Sequence, residues 1–107
     1  MGDHPMRLLA DADILGRMAR TYLVECYWPG VTEADHADAA ARAEAVAREL
    51  RAGGHAIDFL DALLVRGDEI AFFRFAASSR QQVELASTRA RLPFDRVVEY
   101  VEALRDG

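Results

Sequence analysis

A single amphipathic helix from Thr32 to Ala52, set between two runs rich in β formers, most limits the folds open to this chain. Thr32-Glu33-Ala34-Asp35 resembles a capping box with Asp in place of Glu, and Gly53-Gly54 supplies the stop. Ala39, Ala43, Val46, Ala47 and Leu50 fall on one helical stripe. Before the helix, Thr21–Trp28 alternates as a strand and ends at Pro29-Gly30. Tyr22, Val24, Cys26 and Trp28 point one way, and Leu23, Glu25 and Tyr27 the other.

The rest of the chain repeats the pattern. His55–Val65 reads as a second strand, with Ile57, Phe59, Leu63 and Val65 on one face and Asp61 as the polar exception there. Arg66-Gly67-Asp68 forms a short hairpin turn into a third strand, Glu69–Ala76. Ser79, with Gln82 three residues on, caps a second helix over Arg80–Ala90, which buries Val83, Ala86 or Leu85, and Ala90. Leu92-Pro93 breaks it, and Phe94–Leu104 is a fourth strand. The order βαββαβ is the ferredoxin-like pattern of the α+β class. It predicts a four-stranded antiparallel sheet in order 4-1-3-2 with both helices on one face. Residues 1–20 read as an N-terminal extension and residues 21–107 as the domain.

A chain of 107 residues allows one domain, able to bury roughly two-thirds of its unfolded surface. The sheet face away from the helices would then expose rows of Leu, Phe and Tyr, more than a monomer normally shows. A second copy covers it most economically, so the expectation is a homodimer through the open sheet face, a dimeric α+β barrel-like assembly.

Several classes are excluded. A net charge of −5 with no Lys argues against nucleic acid. No stretch approaches the ~18 apolar residues of a membrane span. Met6–Ile14 is broken by Arg7, Asp11 and Asp13, so it is no secretory leader and the chain reads as cytoplasmic. A single Cys excludes an intramolecular disulfide. Gly-rich phosphate loops and nucleophile elbows are missing.

Three motifs occur in order: Tyr22-Leu23-Val24-Glu25, Pro29-Gly30 followed by Thr32-Glu33, and Leu92-Pro93-Phe94-Asp95-Arg96-Val97-Val98-Glu99. Together they resemble the small actinobacterial nickel-responsive protein family, over roughly Arg20–Ala103. The resemblance implies a ferredoxin-like homodimer and a metal ligand, nickel. The chain departs from the family at Cys26, Ala62, Phe72–Phe73 and Ala86, where members often carry Arg, Ser, Cys and His.

The candidate metal ligands are His4, His36 and His55. His36 and His55 flank the first helix, about 28 Å apart at the usual ~1.5 Å rise, so only a dimer could join them. Without Met1, the start Gly2-Asp3-His4 would offer the square-planar nitrogen set that suits Ni(II). Cys26 reads as a small buried hydrophobe. Glu25 and Arg74 each interrupt an apolar strand, and neighbouring first and third strands would let them face each other. Asp61 and Glu99 would join them, and Tyr22, Tyr27, Trp28 and Tyr100 would line the same cavity. Two functions follow. One is a small cytoplasmic homodimer that binds a small molecule or a metal. The other is a cofactor-free dimeric α+β barrel enzyme, of isomerase, cyclase or monooxygenase type, acting on a small apolar substrate.

Overall fold

The computed structural model describes residues 19–103. His4 and nearly all of the 1–20 extension lie outside them. The elements run β1 (Arg20–Tyr27), α1 (Glu33–Ala52), β2 (Ile57–Val65), β3 (Ile70–Ala77), α2 (Arg80–Arg89) and β4 (Arg96–Tyr100). The four strands form one antiparallel sheet in order β2-β3-β1-β4, as the pattern predicts. No helix among the described residues is long and apolar enough to cross a membrane.

The capping box of α1 is complete. Thr32 Oγ1 accepts from the Asp35 N–H at 3.0 Å, and the Asp35 carboxylate accepts from the Thr32 N–H at 3.1 Å. Its buried stripe is Ala39, Ala43, Ala47 and Leu50, with Val46 half-buried beside it. Alanine at three of the four positions lets the helix axis sit close over β2. Helix α2 buries Val83, Ala86 and Ser87, and Arg42 of α1 donates across to the Ala90 carbonyl at 2.8 Å.

Both helices end in the same backbone motif. At α1 the His55 N–H reaches the Leu50 carbonyl and the Gly54 N–H reaches that of Arg51, with Gly54 at φ 97. At α2 the Leu92 N–H reaches the Ser87 carbonyl and the Arg91 N–H that of Thr88, and here an arginine takes the left-handed position at φ 57.

The core lies between sheet and helices. Tyr22, Val24 and Cys26 of β1, Ala71, Phe73, Phe75 and Ala77 of β3, and Val97 of β4 all point into it. Strand β4 is shorter than predicted. Asp95 accepts from the Tyr27 N–H and donates its own N–H to the Glu25 carbonyl, pinning the start of β4 to the end of β1.

The short hairpin turn between β2 and β3 falls at Arg66–Asp68 as expected; it is a 3₁₀ turn, followed by Glu69 at φ 54. That strained residue is held from both ends: its carbonyl accepts from the Trp28 N–H at 2.8 Å, and its carboxylate from the Gly30 N–H at 2.7 Å.

One expectation is corrected in β2, which does not alternate throughout. Phe59 pairs with Phe75 and Asp61 with Arg74, so Leu60 is an extra, exposed residue in a β-bulge. Ile57 and Phe59 therefore face the helices, while Asp61, Leu63 and Val65 share the opposite face with Arg74, Phe72 and Ile70. Asp61 is no polar exception among core residues; the bulge places it on the outer face.

Candidate functional site

Among the described residues no element covers the face away from the helices, and the order of that face follows from the register. Across β2, β3, β1 and β4, one row reads Asp61, Arg74, Leu23, Val98, and the next reads Leu63, Phe72, Glu25, Arg96. Ala76, Thr21 and Tyr100 form a row on one side, and Val65, Ile70 and Tyr27 on the other. Leu60, Leu63, Val65 and Tyr27 are each more than 40% exposed, well above what a self-contained core would leave out.

Two polar groups sit in this apolar field. The Arg74 guanidinium forks onto Asp61, with Nε to Oδ1 at 2.5 Å and Nη2 to Oδ2 at 2.6 Å. Its Nη1 donates to the Tyr100 hydroxyl at 2.9 Å, and Glu102 stands 3.6 Å from the same nitrogen. The Arg74 hydrogen bonds hold the Asp61 carboxyl below the usual carboxylate range, and those of Asp61 raise Arg74 in turn. The second group is Glu25 with Arg96, bonded at 2.8 and 3.3 Å. These contacts raise Arg96 further.

Glu25 and Arg74 therefore share a face, as expected, but do not pair within one chain. Glu25 lies opposite Phe72, and Arg74 opposite Leu23, one step diagonally away. Arg96, which sequence reasoning did not place in the site, and Tyr100, expected there only as a cavity-lining aromatic, take the partner roles. The alternation Arg96, Val98, Tyr100 was the available signal, but it says nothing of register against β1.

Tyr22 is corrected outright. It is buried on the helix side of the sheet and cannot line a cavity with Glu25, Arg74 and Asp61. Glu99, paired with Tyr22, also belongs to that side and approaches Arg20 at 3.8 Å. An open groove of about 560 Å³ lies between Ala19–Thr21 and Glu99–Glu102, at the margin of the outer face.

The histidines stay apart. His36, in the first turn of α1, stacks on Phe73 with ring centroids 5.3 Å apart, and its Nε2 is buried without a partner. His55, beyond the far end of α1, is hydrogen-bonded through Nδ1 to Gln82 at 3.0 Å. A nickel or zinc ion needs two or three converging donors. Among the described residues no three His, Cys, Asp or Glu side chains converge in this way. Cys26 is buried between sheet and helices. Burial, with the Asp95 charge second, pushes its thiol up to about 12, far from a reactive thiolate.

Fold and site together define a small α+β protein of ferredoxin-like topology, with a sheet face that carries two ion pairs and that no other described element covers. No family model, no curated protein and no solved structure matches the chain. Geometry therefore carries the functional reading.

Proposed function

We propose that the protein is a small cytoplasmic homodimer that associates through its open sheet face and binds a small molecule at the margin of that interface. The observation that carries this is the face itself: Leu23, Ile70, Phe72, Leu63 and Val98 lie on it, and two ion pairs, Arg74–Asp61 and Glu25–Arg96, are set among them. Aromatic and Arg side chains are enriched at protein interfaces. The groove between Ala19–Thr21 and Glu99–Glu102 opens beside Tyr100 and Glu102, which a second copy would help to enclose. A lone, buried, free cysteine is in keeping with a reducing compartment.

The alternative, a cofactor-free enzyme, asked for one cavity around Glu25, Arg74, Asp61 and Tyr22. The sheet separates Tyr22 from the other three, which favours the binding reading.

Light scattering and native mass spectrometry of untagged protein test the proposal. The expected result is twice the 11.9 kDa chain mass at micromolar concentration, with a small molecule released on denaturation. The mass of a single chain would overturn it. One retained equivalent of nickel per chain would replace the organic ligand with a metal held by donors from two chains.

A further inference from the structure

We infer that the homodimer is registered by a reciprocal ion pair, Arg74 of each protomer on Glu25 of the other, about a twofold axis running through Leu23 and Phe72. This rests on the dimer proposed above and names what fixes its geometry.

The four residues form a block at the centre of the open face. Leu23 lies opposite Arg74, and Glu25 opposite Phe72. The two charges occupy one diagonal of the block and the two apolar side chains the other. A half-turn about the apolar diagonal lays Glu25 of a second copy over Arg74, and Arg74 of that copy over Glu25. The same operation sets Leu23 on Leu23 and Phe72 on Phe72. Strands spaced about 4.8 Å apart, with same-face residues nearly 7 Å apart along each, make the two sheets cross steeply. Orthogonal packing is one of the two standard ways sheets stack. A twofold contact is self-complementary, so one such match occurs twice.

The alternatives fit worse. An axis parallel to the strands, between β3 and β1, lays Arg74 over Leu23 and Asp61 over Val98. An axis across the strands, between the two central rows, lays Arg74 over Phe72 and Glu25 over Leu23. Each buries charges against apolar side chains, which is costly.

Both charged groups have capacity to spare. Arg74 uses three of its five N–H groups on Asp61 and Tyr100, and Glu102 stands 3.6 Å from Nη1, which leaves the second N–H of Nη2. Glu25 accepts two bonds from Arg96 and retains free lone pairs. Asp61, Arg74, Glu25 and Arg96 balance one another, and Glu102 beside Arg74 adds one negative charge.

The test mixes charge-reversed full-length chains, one of them isotope-labelled, and counts homodimers and heterodimers by native mass spectrometry. Glu25→Lys and Arg74→Glu, each alone, should weaken the homodimer roughly 10-fold or more, because like charges then face across the axis. Mixed, they restore two opposite-charge contacts, and heterodimer should far exceed the half that random pairing gives. Lost contacts within each chain are the same in both species and cancel. Glu25→Lys mixed with Arg96→Glu has the same net charges but no facing pair, and should show a much smaller excess. The milder Glu25→Gln and Arg74→Gln mixture should show the same preference at lower amplitude, covering failure of the reversals to fold. Random pairing, or an equal excess with Arg96→Glu, would overturn the registration while leaving the dimer intact. A wild-type monomer would overturn the dimer as well.

Discussion

At the scale of the residue, Arg91 and Cys26 illustrate opposite environments. Arg91 holds the left-handed position that Gly54 holds at the other helix. A side chain there is strained, by about 1 kcal/mol or more in the left-handed region. Arg91→Gly should therefore raise stability by roughly 1 kcal/mol in a denaturant titration. Gly54→Ala should lower it similarly.

Cys26 is a packing residue whose thiol is held neutral. An unfolded thiol titrates near 9.0, the folded one near 12. Between these values the unfolded chain has lost the proton that the folded chain keeps. The contribution of this group is therefore complete below pH 9 and falls as pH rises towards 12. Cys26→Ala should cost on the order of 1–2 kcal/mol at pH 7, a cavity effect. Repeating the titration at pH 10 should narrow the gap between the two proteins. Rapid labelling of the native thiol would contradict burial.

At the scale of the element, the bulge in β2 decides which face each residue serves. Leu60 is the extra residue, and Phe59 and Asp61 already lie on opposite faces. Deleting Leu60 would restore plain alternation without turning any side chain over. That deletion should cost on the order of 1 kcal/mol or less. Deleting Ala62 instead shifts Leu63, Leu64 and Val65 by one position, exchanging core and outer faces. It should cost several times more, as read by thermal unfolding of the two variants side by side. The bulge also serves the site, because it delivers Asp61 to Arg74 on the outer face.

For the whole molecule, Phe72 and Phe73 are neighbours in sequence with separate duties. Phe73 is fully buried between sheet and helices, and Phe72 is half-buried on the open face. Phe73→Ala should cost roughly 3–5 kcal/mol of folding stability. Phe72→Asp should leave the circular dichroism spectrum intact and yield a chain that light scattering weighs as a monomer. Retention of the dimer by folded Phe72→Asp would show that the outer face does not join two copies.

The sequence by itself determined the α+β pattern, the strand order, the capped helix with its alanine stripe, and the burial of Cys26. These follow from local periodicity and capping chemistry, which act within a few residues. It also marked Glu25 and Arg74 as charges needing partners. Which partners they found was decided by tertiary structure. One inserted residue, Leu60, changed the phase of β2, and the β1–β4 register set Arg96 beside Glu25 and Tyr100 within reach of Arg74. Bulges and register depend on long-range pairing between strands, and a slip of one residue reverses every face. Tyr22 lies on the other side of the sheet from Glu25, so no single cavity holds both. Strand alternation puts consecutive residues on opposite faces, so a site on one face draws on every second residue of four strands whose alignment only the folded chain displays.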